Sequence, residues 1–161
     1  MAVRELVKVW DNTSLVKKNI DFLRLPTKIV TFPISNHIND IIIDLIDTYK
    51  SAPCAGIAAN QIGYDKKIFI GMKHDLDLSI QNDPSQNLDD IEPDPDNYEI
   101  YINPKIIYYD KKSTQEGEEG CLSIPNITLN LERYDKIKVK YYNSEGIAMP
   151  KPPKPLKPLN H

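Results

Sequence analysis

The chain is poor in cysteine and histidine and has no long apolar run. Two cysteines, Cys54 and Cys121, in 161 residues cannot form a disulfide framework. No apolar stretch approaches the roughly 20 residues needed to span a bilayer. The opening Met1-Ala2-Val3-Arg4-Glu5-Leu6 has no apolar signal core, and its acid argues against an organellar leader. A reducing cytoplasm is the expected setting. A net charge of -3 excludes the strong basic field that draws nucleic acid or an anionic membrane. No repeat of domain size occurs, and the length suits one domain with its own core.

The acids that are present are unevenly spread. Asp83, Asp89, Asp90, Glu92, Asp94 and Asp96 fall in one stretch with Pro84, Pro93 and Pro95 and no lysine or arginine. The spacing lacks the glycine and terminal glutamate of a calcium loop, so a solvated surface loop over residues 73–97 is expected.

Residues 38–49 predict an amphipathic helix. Ile38, Ile41, Ile42, Leu45, Ile46 and Tyr49 recur at helical spacing, with Asn39, Asp40, Asp44 and Asp47 between them. Ser35 or Asn36 would cap it and Pro53 would stop it. Short strands are expected at 67–70, 99–102 and 106–109, with Asn103-Pro104 ending the second. Residues 116–123, rich in Gly and Glu, predict a tight loop. Residues 127–131 alternate weakly and 135–143 clearly, with Ile137, Val139 and Tyr141 on one face and three lysines on the other. Ser144-Glu145-Gly146 predicts a turn. Past Pro150 the Lys-Pro repetition removes amide donors and favours polyproline II.

Two segments could carry chemistry. Gly56-Ile57-Ala58-Ala59-Asn60-Gln61-Ile62-Gly63 permits close backbone approach; a tight packing patch explains it as well as a site does, except that Gln61 places a neutral donor beside the small residues. Cys121 could be a metal ligand, a nucleophile or inert filler. A reactive thiolate needs a nearby cation, metal or helix N-terminus, and Glu118 and Glu119 work against it unless a metal neutralises them. The local charge therefore favours ligation.

Taken in order, Gly56-Ile57-Ala58-Ala59-Asn60-Gln61-Ile62-Gly63, Ile102-Asn103-Pro104 and Glu118-Glu119-Gly120-Cys121-Leu122-Ser123-Ile124-Pro125 resemble the peptide deformylases. The resemblance spans roughly Lys28 to Gly146 and includes the strand after the cysteine motif. It implies an α+β fold, one central-type helix packed on mostly antiparallel strands, over residues 1–146, with 73–97 an insertion and 147–161 a disordered Lys/Pro tail. It implies a hydrolase that removes the formyl group from N-terminal formyl-methionine of new polypeptides, using Fe²⁺, or Zn²⁺ or Ni²⁺ in its place, to activate water. By the same resemblance Cys121 is a metal ligand. Gln61 and the Leu122 N–H are oxyanion donors. Gly56, Glu119 and Arg133 belong to the substrate cleft, with Glu119 ordering the loop. The implied partners are formyl-methionyl peptides at the ribosome, with no nucleic acid and no membrane.

Three departures accompany the resemblance. Cys54 stands where the family has its first glycine and brings a second thiol towards Cys121. The acidic loop is longer than usual. The family's other two ligands and its general base lie in a helical His-Glu-x-x-His, whereas this chain has only His37, His74 and His161, none followed by Glu-x-x-His. The C-terminal catalytic helix is therefore expected to be missing, through a frameshift after about residue 146 or through a tail with its own role. One cysteine cannot match the three protein ligands of a catalytic metal, so activity in this chain is expected to be weak or absent. Binding of N-terminal peptides without turnover is the alternative, and thiol chemistry at Cys121 or Cys54 a third reading. A core without that helix should aggregate or depend on a partner.

Overall fold

The computed structural model describes residues 2–52, 54–73 and 95–151. The acidic residues from Asp83 to Asp94, Pro53, His74, and the tail beyond Lys151 with His161 lie outside the described residues.

The expected helix is present and longer than its apolar core, Asn36–Ser51 (α2). Ser35 caps it by accepting the Ile38 N–H at 3.2 Å, which satisfies one of the unpaired donors of the first turn. Ile38, Ile41, Ile42, Leu45 and Tyr49 form its buried face. Asp44, one of the acids between the apolar positions, is buried. It accepts the Tyr64 hydroxyl at 2.7 Å and the Ala2 N–H at 2.8 Å, so it ties the N-terminal arm to the helix. Next to it, the Thr48 hydroxyl oxygen accepts the Arg4 N–H at 2.9 Å.

A second helix, Lys17–Arg24 (α1), was not expected. It is short, has no side-chain cap and buries no residue fully, so its pattern is weak even though Ile20 and Leu23 turn towards the interior side.

Strands Gly56–Ala58 (β1), Ile68–Met72 (β2), Tyr98–Tyr109 (β3), Ile137–Tyr142 (β6) and Ala148–Met149 (β7) form one antiparallel sheet in the order β1-β2-β3-β6-β7. Ile57, Ile68, Ile70 and Ile102 meet the buried face of α2 and complete the core. The opposite face carries an aromatic row, Phe69 stacked on Tyr101 and Tyr101 against Tyr141, with centroids 4.5 and 4.4 Å apart. Ala148–Met149 lies inside the segment expected as tail, and pairs with β6.

Two expectations are corrected. Residues 99–102 and 106–109 are not separate strands; they are one strand, β3, which bends instead of ending. Pairing passes from Ile102–Tyr142 to Lys105–Lys140, so β3 carries an extra residue where Asn103 sits at φ 51°, a bulge of the kind that bends a strand without breaking its sheet. The Asn103 side chain holds the bend: Nδ2 donates to the Val30 carbonyl and Oδ1 accepts the Val30 N–H, both at 2.9 Å.

Residues 116–123 are likewise not a loop. Thr114–Cys121 (β4) pairs with Ile124–Tyr134 (β5) in a separate two-stranded sheet. Local composition misleads there because a partner strand supplies the order, and only Leu122 and Ser123 make the turn. The turn after β6 is where it was expected: Asn143 Oδ1 accepts the N–H groups of Glu145 and Ile147, each at 3.0 Å.

Candidate functional site

The site forms where the short helical turn after β1, Ala59–Ile62, meets the tip of the β4–β5 hairpin. Gln61 is fixed from its own backbone side. Its Oε1 accepts the Ala58 N–H at 2.9 Å, which directs the amide nitrogen towards the hairpin. There Nε2 donates to Cys121 Sγ at 3.6 Å and to Ser123 Oγ at 3.3 Å. A neutral donor is thus held against a sulfur.

Gly56 is required by the fold before any ligand is considered. A Cβ there would lie 2.8 Å from the Ile70 carbonyl oxygen, so only glycine lets β1 pair with β2 at this point. Cys121 ends β4 and is exposed; Leu122 is half-buried and packs on the core. Together Cys54, Ala55, Gly56, Gln61, Gly120, Cys121 and Leu122 enclose an open cavity of about 500 Å³. Burial pushes the Cys54 thiol up, partly offset by the Gly56 N–H.

Glu119 and Arg133 do not line this cavity. They form an ion pair across the hairpin, Arg133 Nε to Glu119 Oε2 at 2.8 Å and Nη2 to Oε1 at 3.1 Å. The guanidinium holds the Glu119 carboxyl below its usual range. Both groups are solvated, so the pair contributes little to stability; its two-pronged geometry fixes the hairpin face beside the site.

Two features of the site were not read from the sequence. Ser123 is buried; its carbonyl accepts the Val9 N–H at 2.9 Å, which pins the hairpin tip to the N-terminal segment. A serine after Cys-Leu reads as a turn former, so nothing in its type marks it. The second is a mainly apolar cavity of about 400 Å³ on the other side of Cys121, walled by Val9, Leu15, Ile20, Leu23 and Ile124. Its wall needs α1, the helix that the sequence reading lacked.

No three His, Cys, Asp or Glu side chains come together as a metal-holding group among the described residues. His37 lies in the first turn of α2, edge-on to Tyr64 with centroids 6.2 Å apart. Among the described residues, the cavity lining offers two sulfurs and one side-chain amide, with no imidazole and no carboxylate.

A family model for polypeptide deformylase matches residues 13–150. The chain belongs to the peptide deformylase family. The match is wider than the stretch from Lys28 to Gly146 and takes in α1 and β7. A peptide deformylase from Thermoanaerobacter pseudethanolicus is 32% identical over 146 residues, which cover 91% of this chain and 71% of that protein. The class I type b peptide deformylase of Acinetobacter baumannii, solved with K1U bound, aligns at TM-score 0.67 and 26% identity over 92% of this chain and 81% of the other. The Thermotoga maritima peptide deformylase structure aligns at TM-score 0.64 and 27% identity, covering 91% and 78%. The α+β reading, two helices with mostly antiparallel strands, agrees with these structures. Peptide deformylases are metal-dependent and act on formyl-methionyl peptides. Among the described residues no helix is long and apolar enough to cross a membrane.

Among the described residues, no three side chains form the metal site of a hydrolase. A catalytic site of that kind takes three protein ligands and an open position; here Cys121 has Cys54 as its only companion among the residues lining the cavity.

Proposed function

We propose that this chain is a deformylase-type receptor for formyl-methionyl peptides that does not turn them over, or does so only weakly, by itself. The observation that carries the reading is the Gln61 amide, locked by the Ala58 N–H and aimed at Cys121. An amide fixed in this way is a preorganised donor, suited to the oxygen of a formyl group. The Leu122 N–H would be the second donor, and the backbone at Gly56, on the edge strand β1, would receive the peptide in extended form. Glu119 and Arg133 would keep the hairpin face in place around it.

Cys121 would be the ligand for the family's divalent metal, Fe²⁺ or its Zn²⁺ or Ni²⁺ substitutes. With one fitting ligand, no catalytic step is assigned to that metal here. Family membership supports a role with nascent chains in the cytoplasm near the ribosome.

The test uses the full chain, reduced and anaerobic, with Fe²⁺ or Ni²⁺ supplied. Calorimetric binding of a formyl-Met tripeptide that weakens in Gln61→Ala, with no formate released, is the expected result. Stoichiometric metal with formate release that disappears in Cys121→Ala would instead make the chain a complete enzyme. Absence of peptide binding would overturn the receptor reading.

A further inference from the structure

The cavity contains a second sulfur that the peptide reading does not use. Cys54 and Cys121 come from different parts of the fold, the connection between α2 and β1 and the end of β4, yet both line the same space. Each has a donor at hand: the Gln61 amide for Cys121 at 3.6 Å and the Gly56 N–H for Cys54.

The chemistry of this lining selects a class of ligand. Hard cations such as Mg²⁺ and Ca²⁺ require oxygen donors, and among the described residues no carboxylate lines the cavity. Zinc sites are completed by further thiolate, imidazole or carboxylate ligands; none of the described residues supplies one to this cavity. Soft monovalent ions with a filled d shell are different. They prefer thiolates and are satisfied by two sulfurs on opposite sides.

We propose that Cys54 and Cys121 together bind a soft monovalent cation of the copper(I) or silver(I) class across this cavity. Both sulfurs can adjust to one ion. Cys54 lies outside regular pairing, and Cys121 ends its strand with an exposed side chain. The frame beneath them is firm, because Ala55 is anchored through its carbonyl to the Met72 N–H at 2.9 Å and Gly56 pairs with Gly71. The ion would clamp the hairpin tip to β1 and fill the space in front of Gln61, so it and a peptide would exclude each other. The proposal does not rest on the receptor reading and needs neither peptide nor turnover.

The experiment is an anaerobic competition for copper(I) between the reduced full chain and a chromophoric copper(I) chelator. Wild type is expected to withdraw one equivalent. Cys54→Ser and Cys121→Ser should each weaken binding by more than about tenfold, since even outer partners of a metal cost that much, and the double variant should be no worse than the weaker single one. Wild-type affinity in Cys54→Ser, or failure of wild type to compete, overturns the proposal. Circular dichroism checks that the variants fold. If either does not, X-ray absorption of the wild-type complex decides: two sulfur neighbours support the site, and nitrogen or oxygen neighbours sink it. Peptide binding measured on the copper-free chain reports on the receptor reading separately.

Discussion

Around α2 the apolar side chains have left the solvent, with Ile41, Leu45, Ile70 and Ile102 all at 0% exposure. On the β4–β5 hairpin the opposite holds, Ile127 being 42% and Leu129 57% exposed. The far end of β3 and the start of β6 resemble the hairpin, with Ile106 at 57% and Ile137 at 49%. In both regions the backbone is paired, so pairing alone does not make a core. A two-stranded sheet is marginal without something packed on its face. This hairpin is held by particular attachments: the Val9 N–H on Ser123, the Gln61 amide at its tip, and Tyr134 stacked on Tyr109 at 4.6 Å. The site therefore has a firm half, Gln61 and Gly56, and a softer half, Cys121 and Leu122. The exposed apolar side chains leave an apolar surface on the hairpin and on the far end of β3.

Substitutions should separate the two regions. The largest effect is expected from Ile70→Ala, which leaves a void against α2 and should cost about 2–5 kcal/mol in urea unfolding; a loss as small as that of a surface change would mean the core is not shared. Gly56→Ala pushes a Cβ against the Ile70 carbonyl and should cost about 1–3 kcal/mol. An unchanged midpoint would show that β1 can lift off β2.

Tyr64→Phe removes the hydroxyl donor from Asp44 and should cost about 1 kcal/mol. Burial raises the Asp44 pKa, but the bonds from Tyr64 and the Ala2 N–H outweigh it and leave the carboxyl below its ordinary value. A depressed carboxyl contributes stability that is present above its unfolded pKa and is lost as pH falls through the lower folded value. Unfolding measured across the acid range should therefore depend less steeply on pH in Tyr64→Phe than in wild type; equal slopes would remove Asp44 from the account. The smallest effect is expected from Leu129→Thr, within about 0.5 kcal/mol, together with slower aggregation by light scattering. A large loss of stability there would mean that the hairpin face is buried in solution.

The same contrast explains what could be read from the sequence. α2 was legible because its isoleucines keep one period and its cap precedes them, and β6 because its lysines and apolar residues alternate. β4 was not, since Glu and Gly dominate it and its order comes from β5. β3 was divided in two because Pro104 reads as a strand end; the bulge at Asn103 that absorbs it depends on Val30, 73 residues away. At the site, Gly56, Gln61, Cys121 and Leu122 were legible from motif order and share one cavity. Ser123 and the apolar wall from α1 were not, because their place depends on contacts between distant segments and not on residue type.

The latch at Asn103 also bears on how the molecule ages. Asparagine decays when the backbone nitrogen of the next residue attacks the side-chain carbonyl, and that nitrogen must carry a hydrogen. Pro104 has none, so the pair of hydrogen bonds to Val30 is shielded from the ordinary route of deamidation. Asn143 is followed by Ser144 and has no such shield, although its Oδ1 receives two N–H groups of the turn. Of these two asparagines, Asn143 in the turn after β6 should lose its amide first in stored protein, while the bend in β3 keeps its own.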